Sequence, residues 1–192
     1  PDHRDALLHL GTICYVSERY EQGLDLIDQL TMLHGEKTTP LFRVVRAQLE
    51  AAHYHSQQMY DKAWEAYELY LTSVDAAERA YYEDLKYIAA PDEYETYQAA
   101  SEDEQTEILR RFWASRDPNP ATVVNERLVE HDRRVMFARE YFAGGKMPWD
   151  RRGDIYIRYG DPDDRQRFLG GSNEEDVFMT TRNPFGSSMR ER

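Results

Sequence analysis

The chain has 192 residues, enough to bury a core as one medium domain or two small ones without disulfides or metal, so size excludes nothing. With 24 basic against 36 acidic side chains the net charge is −12, which repels phosphate backbones and excludes a general nucleic-acid binder. A single cysteine, Cys14, excludes an internal disulfide and a thiolate zinc site, and no apolar run approaches the roughly 18 residues of a membrane span. The start, Pro1-Asp2-His3-Arg4, lacks a signal peptide's apolar stretch, so any targeting segment is expected to have been removed. No cofactor or metal is expected.

Charge divides the chain unevenly. Residues 1–110 carry 9 basic and 22 acidic side chains, whereas 111–192 carry 15 basic and 14 acidic. The basic residues of the second half are 14 Arg and one Lys. Arginine's planar fork suits bidentate pairing with carboxylates, so these are read as internal or interfacial ion-pair partners.

From Asp5 to about Leu33, apolar residues (Leu10, Ile13, Cys14, then Leu24, Ile27, Leu30) recur at three- and four-residue spacing, which predicts two amphipathic helices separated near Glu18–Glu21. Thr39-Pro40 opens a second pair, Leu41 to about Gln57 and Tyr60 to about Ser73. The pairs match at an offset of 40 residues: Tyr20 and Gly23 against Tyr60 and Ala63, Ile27 against Tyr67. With Leu10-Gly11 and Ala51, these residues resemble tetratricopeptide repeats, helix hairpins with small residues where the helices cross. Such repeats bury their faces on neighbours, so two hairpins need cover from the following helices or from another chain.

Tyrosines crowd residues 54–97. They are read as core with hydroxyls reaching water, while Tyr54, Tyr67 and Tyr70 form a candidate peptide groove. His53 and His55 point about 200° apart on a helix and are read as solvated rather than as a metal pair. Ala76 to Ile88 is a further predicted helix, a short one begins at Asp92, and Ser101-Glu102-Asp103-Glu104 is a capping box ahead of Ile108, Leu109, Phe112 and Trp113. Pro118 and Pro120 close that helix. Thr122 is expected to cap the next, through Val129, Val135 and Phe142 to Gly144-Gly145. Ile155-Tyr156-Ile157-Arg158-Tyr159 is predicted as a strand, turned by Gly160-Asp161-Pro162-Asp163, and 165–192 as a Gly/Ser/Arg-rich loop.

Phe112-Trp113 with Arg116-Asp117-Pro118 and Pro120, Thr122 with Asn125-Glu126, Arg133-Arg134-Val135 with Ala138 and Phe142, and Arg152-Gly153 with Ile155 to Gly160 together resemble the GWxTD domain, a bacterial family of unassigned activity. Trp149 is present, but Asp150-Arg151 stand where that family has Thr-Asp. The reading is thus mainly α: tetratricopeptide-like helical hairpins (1–90), a small α+β GWxTD-like domain (91–164), and a loop or incomplete remainder (165–192). The resemblance implies a bacterial cell-envelope, periplasmic or secreted setting; a cytoplasmic one stays open.

Arg133, Arg134 and Arg152 can pair with Asp117 and Glu126, and with Trp113, Arg116, Asn125, Trp149, Tyr156 and Tyr159 they are read as a structural or interaction network. The catalytic alternative uses Asp117 and Glu126 as paired carboxylates beside an arginine clamp, yet no GxSxG, Cys-His or HExxH accompanies them. Asp161, Asp163 and Asp164 are read as a solvated turn rather than a calcium loop. The function expected is a non-enzymatic protein-interaction or structural subunit whose partners are other protein chains, copies of itself among them. A hydrolase-type enzyme and a peptide-binding adaptor are the alternatives.

Overall fold

The computed structural model describes residues 3–34, 39–144, 147–162, 164–165 and 179–180. Two helix hairpins come first: α1 (His3–Val16) with α2 (Tyr20–His34), and α3 (Thr39–Ser56) with α4 (Tyr60–Ser73). Their turns are copies of each other at the 40-residue offset. Arg19 N donates to Cys14 O at 2.9 Å and Met59 N to Tyr54 O at 2.9 Å, closing the same wide loop after each first helix. Inside each loop a residue adopts the left-handed region, Glu18 at φ 57° and Gln58 at φ 58°. Where the helices cross, Gly23 lets α2 approach closely: an added Cβ would lie 2.8 Å from Leu49 Cδ1 and 2.9 Å from Cys14 Cβ. The equivalent Ala63 is fully buried, as are Ile27 and Tyr67 one turn on.

Next come α5 (Ala76–Glu83), a short 3-10 helix (Leu85–Tyr87), α6 (Pro91–Ala99) and α7 (Glu102–Ala114). The single helix expected over 76–88 breaks at Asp84, whose carboxylate accepts from Lys86 N at 2.9 Å and starts the 3-10 turn. Glu104 closes the predicted capping box on Ser101 N at 2.9 Å. The long helix α8 (Glu126–Tyr141) begins three residues later than expected, because Asn125 rather than Thr122 caps it, accepting from Arg127 N and Leu128 N.

The clearest correction concerns Ile155–Tyr159, which is helix, not strand: it lies in α9 (Arg151–Tyr159). Asp150 caps its start and Gly160, at φ 84°, ends it. The buried residues are Gly153, Tyr156 and Ile157, a helical i, i+3, i+4 face, while Ile155 and Tyr159 are exposed. β-branched composition favoured a strand locally; caps at both ends and one buried helical face override it. No β-edge is therefore left open here. The strand pairing among the described residues is a two-residue ladder, β1 (Asp164–Arg165) against β2 (Met179–Thr180). The rest of the expected loop 165–192 lies outside the described residues.

One apolar core runs from Cys14 and Tyr15 through Val45, Leu49 and Tyr67 to Val129, Val135, Met136, Trp149 and Ile157. Helix α8 touches α1, α3, α4, α5 and α9, so the cover that the hairpins need comes from the following helices. The core is continuous across residue 90, and only a small satellite (Leu85, Ala89, Phe112) sits beneath α6 and α7. Gly23→Val should lower stability in a urea melt by about 1–3 kcal/mol by overpacking, whereas Gly144→Ala, which meets open space, should leave it unchanged.

Candidate functional site: a carboxylate–arginine network beside an aromatic cleft

Successive turns of α8 present Glu130, Arg133 and Arg134, an i, i+3, i+4 set on one face. Glu130 Oε1 accepts from Arg134 Nε at 2.6 Å and Oε2 from Arg133 Nε at 2.8 Å. From α3, His55 Nε2 approaches Glu130 Oε2 at 3.1 Å, near enough for an ion pair though off the line of a good hydrogen bond. The expectation that His55 is solvated is thus corrected, its side chain being only 15% exposed. Arg133 reaches on to α9, donating to the Tyr156 hydroxyl and to Asp161 Oδ2, both at 2.8 Å, and the Tyr156 hydroxyl donates to Asp161 Oδ1 at 2.9 Å. Arg134 donates to Arg158 O at 3.3 Å and packs flat beneath Gly160, where a Cβ would lie 2.6 Å from its Nη2. Position 160 needs glycine twice over, for this contact and for its positive φ.

Electrostatics fix the charge states. Burial pushes the Glu130 carboxyl up, but His55, Arg133 and Arg134 overcome that and hold it well below the usual carboxylate range. Burial likewise disfavours the Arg133 cation, and the bonds and charge of Glu130 outweigh it. Neither group changes protonation near neutral pH, so the pair serves as a fixed clamp and not as an acid–base relay.

Beside the network opens a cleft of about 490 Å³ between the two hairpin turns and α8. Tyr15, Tyr20, Tyr60, Phe137 and Tyr141 wall it, with His55, Glu130 and Arg133 at the charged side. Burial pushes the Tyr20 hydroxyl up to about 12, so it remains a neutral phenol. Tyr156 stacks on Phe137 behind this wall, centroids 4.2 Å apart.

The remaining sequence-predicted residues scatter. Asp117 accepts from Asn119 N at 2.9 Å within its turn, and Glu126 meets Thr122 Oγ1 at 3.4 Å; neither forms an ion pair among the described residues. The expected arginine partners are different carboxylates: Glu130 and Asp161 for Arg133, Glu130 for Arg134, Asp150 for Arg152. Arg116 pairs with Glu93 at 2.7 Å and lies over the Phe112 ring, and Asn125 Nδ2 donates to Trp113 O at 2.7 Å. Trp149 is buried between Tyr81 and Tyr87, its indole donating to Asp154 at 2.9 Å. Tyr159 is exposed at the end of α9. In the candidate peptide groove Tyr67 and Tyr70 pack into the core and Tyr54 is half-buried, so these rings form no open surface.

Two polar groups of α8 were not singled out from the sequence: His131 and Asp132, both buried. His131 Nε2 donates to Tyr82 O at 3.0 Å, and burial, reinforced by Arg134 and Arg127, lowers the imidazole to about 4 against the raising effects of that bond and of the Glu130 charge. Burial raises the Asp132 carboxyl well above its ordinary value, and its Oδ2 has no hydrogen-bond partner. Among the described residues no group of His, Cys, Asp and Glu could hold a metal ion. No known family, no curated protein and no solved structure matches this chain.

Four outcomes follow from this geometry. Glu130→Ala should cost about 2–3 kcal/mol in a denaturant melt, below the usual ~3–5 for a fully buried pair because its side chain is 24% exposed. Glu107→Ala, which breaks a solvent-exposed pair on α7, should leave the melt unchanged. His131 is neutral in the fold but protonates below about 6.5 when unfolded, so its stabilisation is complete above that pH and is lost as pH falls toward about 4. That loss is on the order of 3 kcal/mol, and in His131→Gln the slope of stability between pH 6.5 and 4.5 should flatten. Asp132 has the opposite sign: its raised folded pKa opposes folding as pH rises above the unfolded value of 3.8. Asp132→Asn should therefore be more stable than the natural chain at pH 7, with no advantage left in strong acid.

Proposed function

We propose that the protein is a non-enzymatic interaction or structural module, built of tetratricopeptide-like hairpins and a GWxTD-like remainder, that serves as a subunit of a bacterial cell-envelope or extracellular assembly. One observation carries the reading. Although α8 packs against both hairpins, the first leaves the larger set of apolar side chains exposed, Ile13 (59%) and Val16 on α1, Leu26 and Met32 (86%) on α2, against Leu69 on α4 of the second. Ile13 and Val16 stand three residues apart on one helix face, and covering such side chains yields about 1.5–3 kcal/mol each. That exposed face of the first hairpin is where a further repeat or another chain would stack. The locked charge states of Glu130 and Arg133 support a structural rather than a catalytic use of the polar residues.

A second reading, a peptide-binding adaptor, draws on the aromatic cleft, with Tyr20, Tyr60 and Tyr141 in place of Tyr54, Tyr67 and Tyr70.

A photo-crosslinking amino acid placed at position 13 or 32 in the producing cell tests the first reading. The expected result is a discrete crosslinked species of defined mass, absent when the crosslinker sits at Glu65, an exposed polar position on α4. Equal or no products at all three positions would contradict it.

A further inference from the structure

A second pocket, of about 70 Å³, shares Glu130 with the aromatic cleft and is lined from α7, α8 and α9. Four arginines line it, Arg116, Arg127, Arg134 and Arg158, in a chain whose net charge is −12. Its apolar lining comes from Ile88, Phe112, Trp113 and Ile157.

The arginines differ in what they have left to give. Arg116 is committed to Glu93 by two bonds of 2.7 and 2.8 Å. Arg134 is committed to Glu130 and to the carbonyls of Ile157 and Arg158. Glu130, the one acid lining the pocket, has both oxygens occupied by Arg133 and Arg134. Arg127 and Arg158 have no carboxylate or carbonyl partner for their guanidinium groups among the described residues, Arg158 meeting only the face of Tyr159 at 5.9 Å. Burial, with Arg134 and Arg116 close by, disfavours the Arg127 cation, and Glu130 offsets this only in part. The pocket therefore concentrates uncompensated positive charge beside an apolar wall, an arrangement that an incoming anion would relieve.

The chemistry of the lining selects among anions. Guanidinium forks bind planar carboxylates and tetrahedral phosphates alike. Beyond the guanidinium groups the lining offers a phosphate's remaining oxygens mostly carbon, from Ile88, Phe112, Trp113 and Ile157, and the neutral His131, whose Nε2 is committed to Tyr82 O, has no second N–H to give; an oxygen left unpaired against such a wall is costly. A carboxylate presents both oxygens on one side and carbon on the other. We infer that this pocket is a carboxylate-binding site, in which Arg127 and Arg158 hold the two oxygens while the carbon they are attached to rests on Phe112, Trp113 and Ile157. The ligand is a small organic acid or the carboxylate of a polypeptide side chain or C-terminus, which share that chemistry. The site is independent of whether the α1–α2 face is covered.

Isothermal titration of the full chain at fixed ionic strength tests this, with sodium benzoate, sodium acetate, an amidated glutamate-rich peptide and inorganic phosphate as probes. Saturable carboxylate binding is expected, benzoate tighter than acetate because its ring adds apolar contact. The double variant Arg127→Gln/Arg158→Gln should weaken it roughly tenfold or more, the worth of lost charge-assisted bonds. Both residues are exposed, so the thermal melt of that variant should match the natural chain and separate loss of binding from loss of fold. Phe112→Leu is the second variant, and it should reduce the benzoate preference over acetate. Saturation by the peptide assigns the source to a polypeptide, and saturation by the free acids alone assigns it to a metabolite. No carboxylate saturation, equal affinity in the double variant, or phosphate binding tighter than benzoate would each overturn the inference.

Discussion

The structure depends on one carboxylate. Glu130 sits in the second turn of α8 with Arg133 and Arg134 on the same helix and His55 from α3, and through those arginines it is joined to Tyr156, Asp161 and the end of α9. Two guanidinium groups this poorly exposed, 17% and 11%, would be costly to bury at this depth without a carboxylate between them. The same requirement runs the other way, since Glu130 would be driven toward its neutral form by burial alone. Each charge makes the burial of the others tolerable, and the group as a whole fixes where α9 meets α8.

Because α8 also carries Val129, Val135, Met136 and Ala138 into the core of the hairpins, the network is tied to the repeat half by packing as well as by charge. Further polar links run in the same direction: Arg139 of α8 to Glu78 of α5, Gln48 of α3 to Glu140, and the Tyr141 hydroxyl to Val16 O. The acidic first half and the arginine-bearing second half are thus partners at a shared seam. A division near residue 90, drawn where the repeat-like hairpins give way to the GWxTD-like segment, crosses a continuous core. Helix α8 is both the cover of the hairpins and the platform for the polar site, which is why Tyr67 and Tyr70 are enclosed.

Much of the helical half was legible. The helix over Tyr60–Ser73 and the 40-residue offset are carried by residues whose reasons are local: a tyrosine opening each second helix, a small residue at each crossing, one apolar face. Ile155–Tyr159 was not, because strand propensity is a property of the run itself, whereas the helix is decided by Asp150 and Gly160 at its ends and by the Tyr156 contact with Phe137. At the site, Arg133, Arg134 and Tyr156 were readable as network members, but their partners were sought in Asp117 and Glu126. The i, i+3, i+4 spacing of Glu130 to the two arginines was an available signal for the true acceptor. His55 had none, since its partner lies 75 positions away and only the packing of α3 against α8 brings them together.

The central claim is that α8, through Glu130 and its core face, makes the hairpins and α9 one cooperative unit. Equilibrium urea unfolding followed separately by Trp64 on α4 and by Trp149 ahead of α9, in chains retaining one of these tryptophans at a time, tests it most directly. Coincident midpoints and slopes are predicted. A Trp149 transition at clearly lower urea, with the Trp64 signal still native, would show two independently folding parts and contradict the account.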